Sequence, residues 1–380
     1  MRLLHTSDWH LGRSLHRADL RDAQAEFLDG LVATARSERV DAVLVAGDVY
    51  DRAVPSLDAV ELCEQALVRL RETGARIVLI SGNHDSARRL GFGSRLVDAA
   101  GVHLRTRVAA CAVPVLLADD AGPVAVYGVP YLEPEAVLAD LPPETRRGHA
   151  GVLGAALDAV RADLAGRGGH RSVVLAHAWV GGGLASDSER ELGGVAGVPS
   201  ALFDDFTYTA LGHLHGPQVL SDAVRYSGSP LAYSFSEAIH RKGSWLVELT
   251  ATGLGAVHQV PAPVPRRLST LTGTLDELLR LAAHDKVAGD WLQITLTDVA
   301  RPDDAMLRLS RRFPHVLVLQ WKPATGSVDE RNYRARVAGR TDAEVTETFV
   351  AHVRRTPVSP AERVLLTAAA DAVRVGQAVA

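Results

Sequence analysis

Five strand-length, mostly apolar runs punctuate the first 215 residues, and each ends abruptly in polar ones: Arg2–Ser7, Ala42–Ala46, Arg76–Ile80, Ser172–Ala176 and Thr207–Leu211. Unbroken apolarity, rather than alternation, predicts strands covered on both faces. Between them, residues 18–36 carry Leu20, Phe27, Leu31 and Val32 at helical spacing. Ser56–Arg71 reads as a second helix, with Ser56 to cap its start and Gly74 just past its end. A third helix is predicted over Ser86–Ala99. This β-α-β-α-β order predicts parallel strands joined by crossover helices. Further on, Pro114–Ala118 and Val124–Val129 read as short strands, Ala150–Ala165 as a helix and Gly181–Gly197 as a Gly-rich loop. Ser244–Leu249 and Ala256–Val260 read as paired strands.

The alternating prolines of Pro261-Ala262-Pro263-Val264-Pro265 predict an extended linker. Beyond it the pattern restarts as strands Leu268–Leu271, Trp291–Leu296 and Val316–Trp321 with helices Leu275–Ala283 and Pro302–Arg312, which suits a small α+β domain. From Ala343 two short helices follow, interrupted at Pro357–Pro360; Val345, Phe349, Val350 and Val353, then Val364, Leu365, Ala368 and Ala369, recur at helical spacing. The expected division is therefore 1–260, a linker at 261–266, a small domain at 267–342 and a helical tail at 343–380.

Composition narrows this picture. At 380 residues the chain has room for two or three domains, and 47% hydrophobic with 23% charged residues is ordinary for a globular protein. No apolar run reaches the length of a membrane span, and the opening residues read as a first strand rather than a signal peptide. Cys63 and Cys111 alone imply no disulfide framework, so a reducing cytosol fits. A net charge of −4 excludes a wholly basic nucleic-acid binder. Lys242, Lys286 and Lys322 are the only lysines, so abundant arginine by itself does not signal phosphate recognition. Residues 266–340 nevertheless hold 13 basic and 9 acidic residues, against 28 and 36 in the remainder, a weak pointer to an anionic partner there.

The polar strand ends carry the candidate chemistry: Asp8 and His10, Asp48, Asn83 and His84, His177, then His213 and His215. Any one of them alone has a structural reading, as a cap, an Asx turn or a satisfied histidine. Together, carboxylates, an amide oxygen and imidazoles suit Mn²⁺ or Fe²⁺, and Zn²⁺ less exclusively. Eight such residues, or seven ligands without His84, are too many for one ion and fit two, with Asp48 able to bridge. Two such ions activate water and clamp the oxygens of a phosphoryl displacement.

The blocks Asp8-Trp9-His10, Gly47-Asp48, Gly82-Asn83-His84-Asp85, His177 and Gly212-His213-Leu214-His215 resemble the signature of the calcineurin-like metallophosphoesterases over residues 1 to about 250. The fourth block departs slightly, with Ala176 where Gly is common. The resemblance implies an α/β fold: a metallophosphoesterase β-sandwich flanked by helices, here with a small α+β capping domain and a C-terminal helical segment. It implies that Asp8, His10, Asp48 and His215 hold one metal and that Asp48, Asn83, His177 and His213 hold the other. His84 would protonate or stabilise the phosphate and leaving group, with Asp85 orienting its ring.

Within the superfamily, Leu4-His5-Thr6-Ser7-Asp8-Trp9-His10-Leu11-Gly12, Tyr226-Ser227-Gly228-Ser229-Pro230 and Ser234-Phe235-Ser236-Glu237 are similar to the SbcD-type nuclease subunits. That likeness implies an Mn²⁺-dependent 3'-5' double-strand exonuclease and single-strand or hairpin endonuclease. It implies work with an SbcC-type SMC-like ATPase in DNA repair, recombination and replication. The chain would be cytoplasmic and nucleoid-associated, a homodimer forming a heterotetramer with the ATPase. Arg311 and Arg312 are candidate DNA phosphate contacts. The alternatives are another phosphoesterase of the superfamily, which Asp51-Arg52 echoes, and an inactive scaffold, which retention of all seven ligands disfavours.

Overall fold

The computed structural model describes residues 1–190, 197–323, 339–354 and 356–378. In chain order the strands of the larger part are β1 (Arg2–Thr6), β2 (Ser14–Leu15), β3 (Ala18–Asp19), β4 (Ala42–Ala46), β5 (Arg76–Ile80), β6 (Val102–Arg105) and β7 (Val115–Asp119). They continue as β8 (Gly122–Val129), β9 (Arg171–His177), β10 (Tyr208–Gly212), β11 (Gln218–Val219), β12 (Val224–Tyr226), β13 (Gly243–Thr250) and β14 (Gly253–Pro261). Two six-stranded sheets form, ordered β14-β13-β1-β4-β5-β6 and β11-β12-β10-β9-β8-β7, and β2 and β3 make a separate hairpin. β1, β4, β5 and β6 are mutually parallel, as are β8, β9, β10 and β12. The central strands run parallel and three of the four sheet edges are antiparallel, while β6 closes the first sheet parallel to β5.

The continuous apolar runs are explained by two packing partners. Along β4, Ala42 and Leu44 face the second sheet and meet Val173 and Leu175. Val43 and Val45 face outward, against Phe27 and Leu31 of the helix Arg21–Ser37 and Ala66 and Leu70 of the helix Leu57–Glu72. The period of two thus puts alternate residues into different cores. The helix His149–Ala165 covers the second sheet with Val152, Ala156 and Val160. Each fully buried Val or Leu contributes about 1.5–3 kcal/mol, so the strand ends rest on a rigid double-layered base.

Local signals mostly act as expected. Ser56 caps the helix Leu57–Glu72 by accepting from the Ala59 N–H at 3.3 Å. The helix predicted over Ser86–Ala99 is instead two pieces, Ala87–Leu90 and Ser94–Asp98, because Gly93 at φ +72° interrupts it. Pro261 is the last residue of β14, paired with Gly243, rather than the first of a linker; on an edge strand a proline is tolerated. The Gly181–Gly197 stretch contains a helical turn at Asp187–Arg190, and its part over 191–196 lies outside the described residues.

After the Pro-rich stretch, β15 (Leu268–Gly273), β16 (Trp291–Leu296) and β17 (Val316–Trp321) pair in order and in parallel, with helices Leu275–Arg280 and Ala305–Ser310 between them. Leu278, Leu292, Ile294, Leu309 and Phe313 form this unit's core. Leu268 packs with Leu15, Leu231, Tyr233 and Phe235 of the larger part. The tail forms two helices, Asp342–Arg354 and Pro360–Ala378. No helix among the described residues is long and apolar enough to cross a membrane.

Candidate metal centre

Strand ends from both sheets converge on one site. Asp8 and His10 follow β1, Asp48 follows β4, and Asn83 and His84 follow β5; His177 ends β9, and His213 and His215 follow β10. The loops after β1 and β4 pair, with Asp8 N donating to Gly47 O at 3.0 Å and His10 N to Asp48 O at 3.0 Å. Asp8, His10, Asp48 and His213 all sit at positive φ, between 45° and 105°. Backbone held in this unfavourable region costs of order 1–3 kcal/mol per residue and persists where the surroundings over-determine it. Glycines permit the crowding: a Cβ on Gly82 would overlap the Asp48 carboxylate, and one on Gly212 would overlap the carbonyl of Ala46.

The donor geometry tests whether these residues fit cations. Ala46 O can only accept, so His177 Nδ1, 2.8 Å away, carries its hydrogen toward it. Once its second proton is displaced, the ring would turn the Nε2 lone pair toward the cluster; Nε2 lies 3.0 Å from Asn83 Oδ1, and His213 Nδ1 lies 3.0 Å from the same oxygen. Glu237 Oε1 likewise takes the Nδ1 hydrogen of His215 at 3.1 Å, and His215 Nε2 faces His10 Nε2 at 3.1 Å. His10 Nδ1 is buried and has no hydrogen-bond partner among the described residues, with Asp51 Oδ1 3.7 Å away. Asp48 Oδ2 stands between the two halves, 3.7 Å from His10 Nε2 and 3.4 Å from His177 Nε2. Ligand atoms of Asp8, His10 and His215 lie within 4.8 Å of one another, as do those of Asp8, Asp48 and His177, and those of His10, Asp48 and His84. Buried lone pairs facing one another suit positive charge between them, so the residue set fits divalent ions.

Protonation fits the same picture. Burial opposes a charge on His177, but the Asp48 carboxylate outweighs it and raises that imidazole to about 9. A proton therefore occupies the position a cation would take, and binding a metal releases it. Burial lowers His213 to about 3, aided by repulsion from His177, and keeps it neutral. Burial raises Asp8 to about 6, while His177 and His215 pull it down.

His84 and Asp85 are placed differently from expectation. His84 Nδ1 donates to the carbonyl of Asp51 at 2.8 Å, and its backbone N–H donates to Asp48 Oδ1 at 2.9 Å. Asp85 therefore does not orient that ring. Its carboxylate accepts from the backbone N–H groups of Gly82 (2.9 Å), Val49 (3.1 Å) and Tyr50 (2.9 Å), tying the loop after β5 to the loop after β4. Three backbone N–H groups, one on its own turn and two across on the loop after β4, occupy this carboxylate, and the His84 ring takes the Asp51 carbonyl instead.

Arg311 and Arg312 belong to the small unit, apart from this cluster. Arg311 is exposed at the end of the helix Ala305–Ser310. Arg312 is committed internally, donating to Leu278 O at 2.8 Å, Leu281 O at 2.7 Å and Asp285 Oδ1 at 2.7 Å. It caps the end of a neighbouring helix and is not free to meet a phosphate, so it leaves the candidate footprint. The sequence reading also missed Glu189, Lys242 and the carbonyl of Asp51 as supports of the site. Glu237 stood in a quoted motif without a role.

Two family models match different parts of the chain. Residues 1–217 match the model of the calcineurin-like phosphoesterases. Residues 264–354 match the SbcD_C model, described as the type 5 capsule protein repressor C-terminal domain. Among solved structures, a dimetal phosphatase from Danio rerio aligns at 15% identity with a TM-score of 0.41, over 69% of this chain and 99% of its own. The two domain matches in one chain support an SbcD-type nuclease. By its larger match, the chain belongs to the calcineurin-like phosphoesterase family.

Proposed function

We propose that this chain is a two-metal, Mn²⁺-dependent DNA nuclease that acts with an SMC-like ATPase of the SbcC type. The carrying observation is the facing of lone pairs in two adjoining pockets that share Asp48 Oδ2. Asp8, His10, Asp48 and His215 would hold one ion; Asp48, Asn83, His177 and His213 would hold the other. Bound there, two divalent ions would activate water and neutralise the oxygens of an in-line displacement at phosphorus. His84, with Nδ1 fixed by Asp51 O, keeps Nε2 for the substrate. In its protonated form it gives that proton to the leaving oxygen as the phosphorus–oxygen bond breaks. Asp85 holds the Asn83-His84 loop against the Asp48 loop.

The nuclease reading rests on what surrounds the site. Leu268 anchors the small unit on Tyr233 and Phe235, and Tyr233 edges onto the His10 ring at 5.4 Å. A substrate large enough to touch both parts is favoured over a small monoester, and Arg311 is the retained candidate for a backbone phosphate. The proposed homodimer would use exposed apolar residues such as Leu57, Val60 and Val68 of the helix Leu57–Glu72. Exonuclease and endonuclease action, repair and nucleoid association follow as part of the same proposal.

The test is Mn²⁺-dependent cleavage of linear and hairpin DNA, with and without the ATPase and ATP, beside bis-p-nitrophenyl phosphate and its mono-ester. Cleavage of DNA and the diester is expected. Hydrolysis of the mono-ester alone would favour a phosphatase. Absence of any hydrolysis together with ATPase binding would favour a scaffold.

A further inference from the structure

Behind His215, on the side away from the ligand cluster, lies a buried charged network that the site chemistry does not use. Glu237 is 1% exposed and Lys242 is 5% exposed. Glu237 divides its two oxygens: Oε1 faces His215 Nδ1 at 3.1 Å, and Oε2 accepts from Lys242 Nζ at 2.6 Å. Lys242 spends its other two hydrogens on His215 O and Ser229 Oγ, both at 2.8 Å. A compact ammonium with three donors fits this three-acceptor pocket, which a planar guanidinium does not. That explains a lysine here in a chain whose basic residues are otherwise nearly all arginine. Glu189, also buried, accepts from the backbone N–H of His215.

We infer that Glu237, itself locked by Lys242, is a positioning residue that fixes the tautomer and aim of His215. This inference rests on the two-metal reading of the site. The carboxylate accepts only, so the His215 hydrogen must stand on Nδ1 and the lone pair on Nε2, toward His10 and Asp8. A buried ion pair with a merely structural role would need no imidazole on one of its oxygens. Here the same carboxylate that neutralises Lys242 also sets which nitrogen of His215 is free. Carboxylates behind a metal-bound imidazole act in this way, and their loss typically weakens metal binding about 10–100-fold.

The substitution Glu237→Gln separates charge from shape and reverses the tautomer. Lys242 has only donors, so the amide oxygen must turn to it. The amide NH₂ then faces both Ser188 Oγ and His215 Nδ1. In the wild type Ser188 Oγ donates to this oxygen and lies 3.2 Å from Nδ1. The two amide hydrogens go to these two acceptors, so Nδ1 accepts and the imidazole hydrogen moves to Nε2. The lone pair that faced the cluster is lost, although the side chain has nearly the same volume.

The experiment is a Mn²⁺ titration of the full chain and of Glu237→Gln, reading free aqueous Mn²⁺ by electron paramagnetic resonance, with circular dichroism to follow the fold. Wild type should bind two ions. In the variant one site should weaken about 10–100-fold while the other keeps its affinity. A folded variant with both affinities unchanged overturns the inference. Wild type that binds no Mn²⁺ overturns the two-metal reading instead. Should the variant not fold, ¹⁵N-histidine resonance of Zn²⁺-loaded wild type decides, with His215 assigned by its loss in His215→Gln. A hydrogen on Nδ1 supports the role of Glu237, and a hydrogen on Nε2 overturns it.

Discussion

The metal centre and the tail are opposite solutions to the same problem of satisfying side chains. At the centre every group answers to several others: Asp48 alone faces His10 and His177 and accepts from the His84 N–H. The tail helices are well begun but little covered. Thr341 with Glu344, and Ser359 with Glu362, form reciprocal caps. Arg363 pairs with Glu347 at 2.9 Å across the hairpin. Yet Phe349, Val353, Val364 and Leu365 remain exposed. Caps and surface ion pairs of this kind contribute about 1 kcal/mol or less each. On the proposed reading, ions complete the centre and a partner surface completes the tail.

Asp48→Ala should give the largest effect, because one oxygen serves both halves of the centre. Cleavage should fall to the level of a protein-free control, and metal analysis should find fewer than two Mn²⁺ per chain. Two ions at full occupancy would remove Asp48 from its bridging place. His84→Ala should be milder and cleaner. Loss of a positioned proton donor costs on the order of 10²–10⁴ in rate, with both ions still bound. Since His84 can also join a ligand group with His10 and Asp48, loss of an ion from this variant would make it a ligand instead.

The same contrast explains what could be read from the chain alone. The strands were legible because continuous apolarity has few explanations besides a doubly covered sheet. The metal cluster was legible because its residues recur at strand ends, where the fold collects them. The role of Asp85 was not, because whether a carboxylate meets a neighbouring ring or three backbone N–H groups depends on how the turn closes. Arg312 misled for a related reason. On a short amphipathic helix it looked solvent-facing, but the helix stops at Ser310 and the side chain turns inward. Lys242 left only a compositional trace, as a lysine in an arginine-rich chain.

At the other end of the strands the sandwich is fastened by a pair that has nothing to do with metals. Arg171, at the start of β9, is buried and donates to the Asp119 carboxylate, to Gly122 O at 2.7 Å and to Thr250 O at 3.2 Å. Arg171 holds the Asp119 carboxyl well below its ordinary range. Its folded value lies below its unfolded one, so the pair stabilises above about pH 4, the ordinary Asp value, and its contribution is lost as pH falls through the folded value. Asp119→Ala should cost about 1–3 kcal/mol at neutral pH. Urea melts at pH 7 and pH 3 check this: the gap between wild type and variant should narrow in acid. The two-ion count should stay at its wild-type value, since the pair lies away from the ligands. An equal gap at both pH values would show that Asp119 acts through packing and not charge.

The smallest effect on the isolated chain should come from removing the tail. On the two tail helices Phe349, Val353, Val364 and Leu365 are exposed to solvent, and most helical stability in proteins comes from packing an apolar face. An apolar helical face laid on another helical surface is a common mode of recognition. The proposed occupant is a coiled coil of the ATPase. A chain ending at residue 342 should therefore bind two Mn²⁺ and cleave short single-stranded substrates at nearly the wild-type rate. The unfolding free energy of its sandwich, from urea melts, should stay within about 0.5 kcal/mol of wild type, the range usual for changes away from packed features. The same chain should fail to co-purify with the ATPase and should lose ATP-dependent attack on long duplexes. A truncated chain that still assembles would move the docking surface elsewhere. One that loses metal or melts early would show that the tail helices fold back on their own chain and complete it.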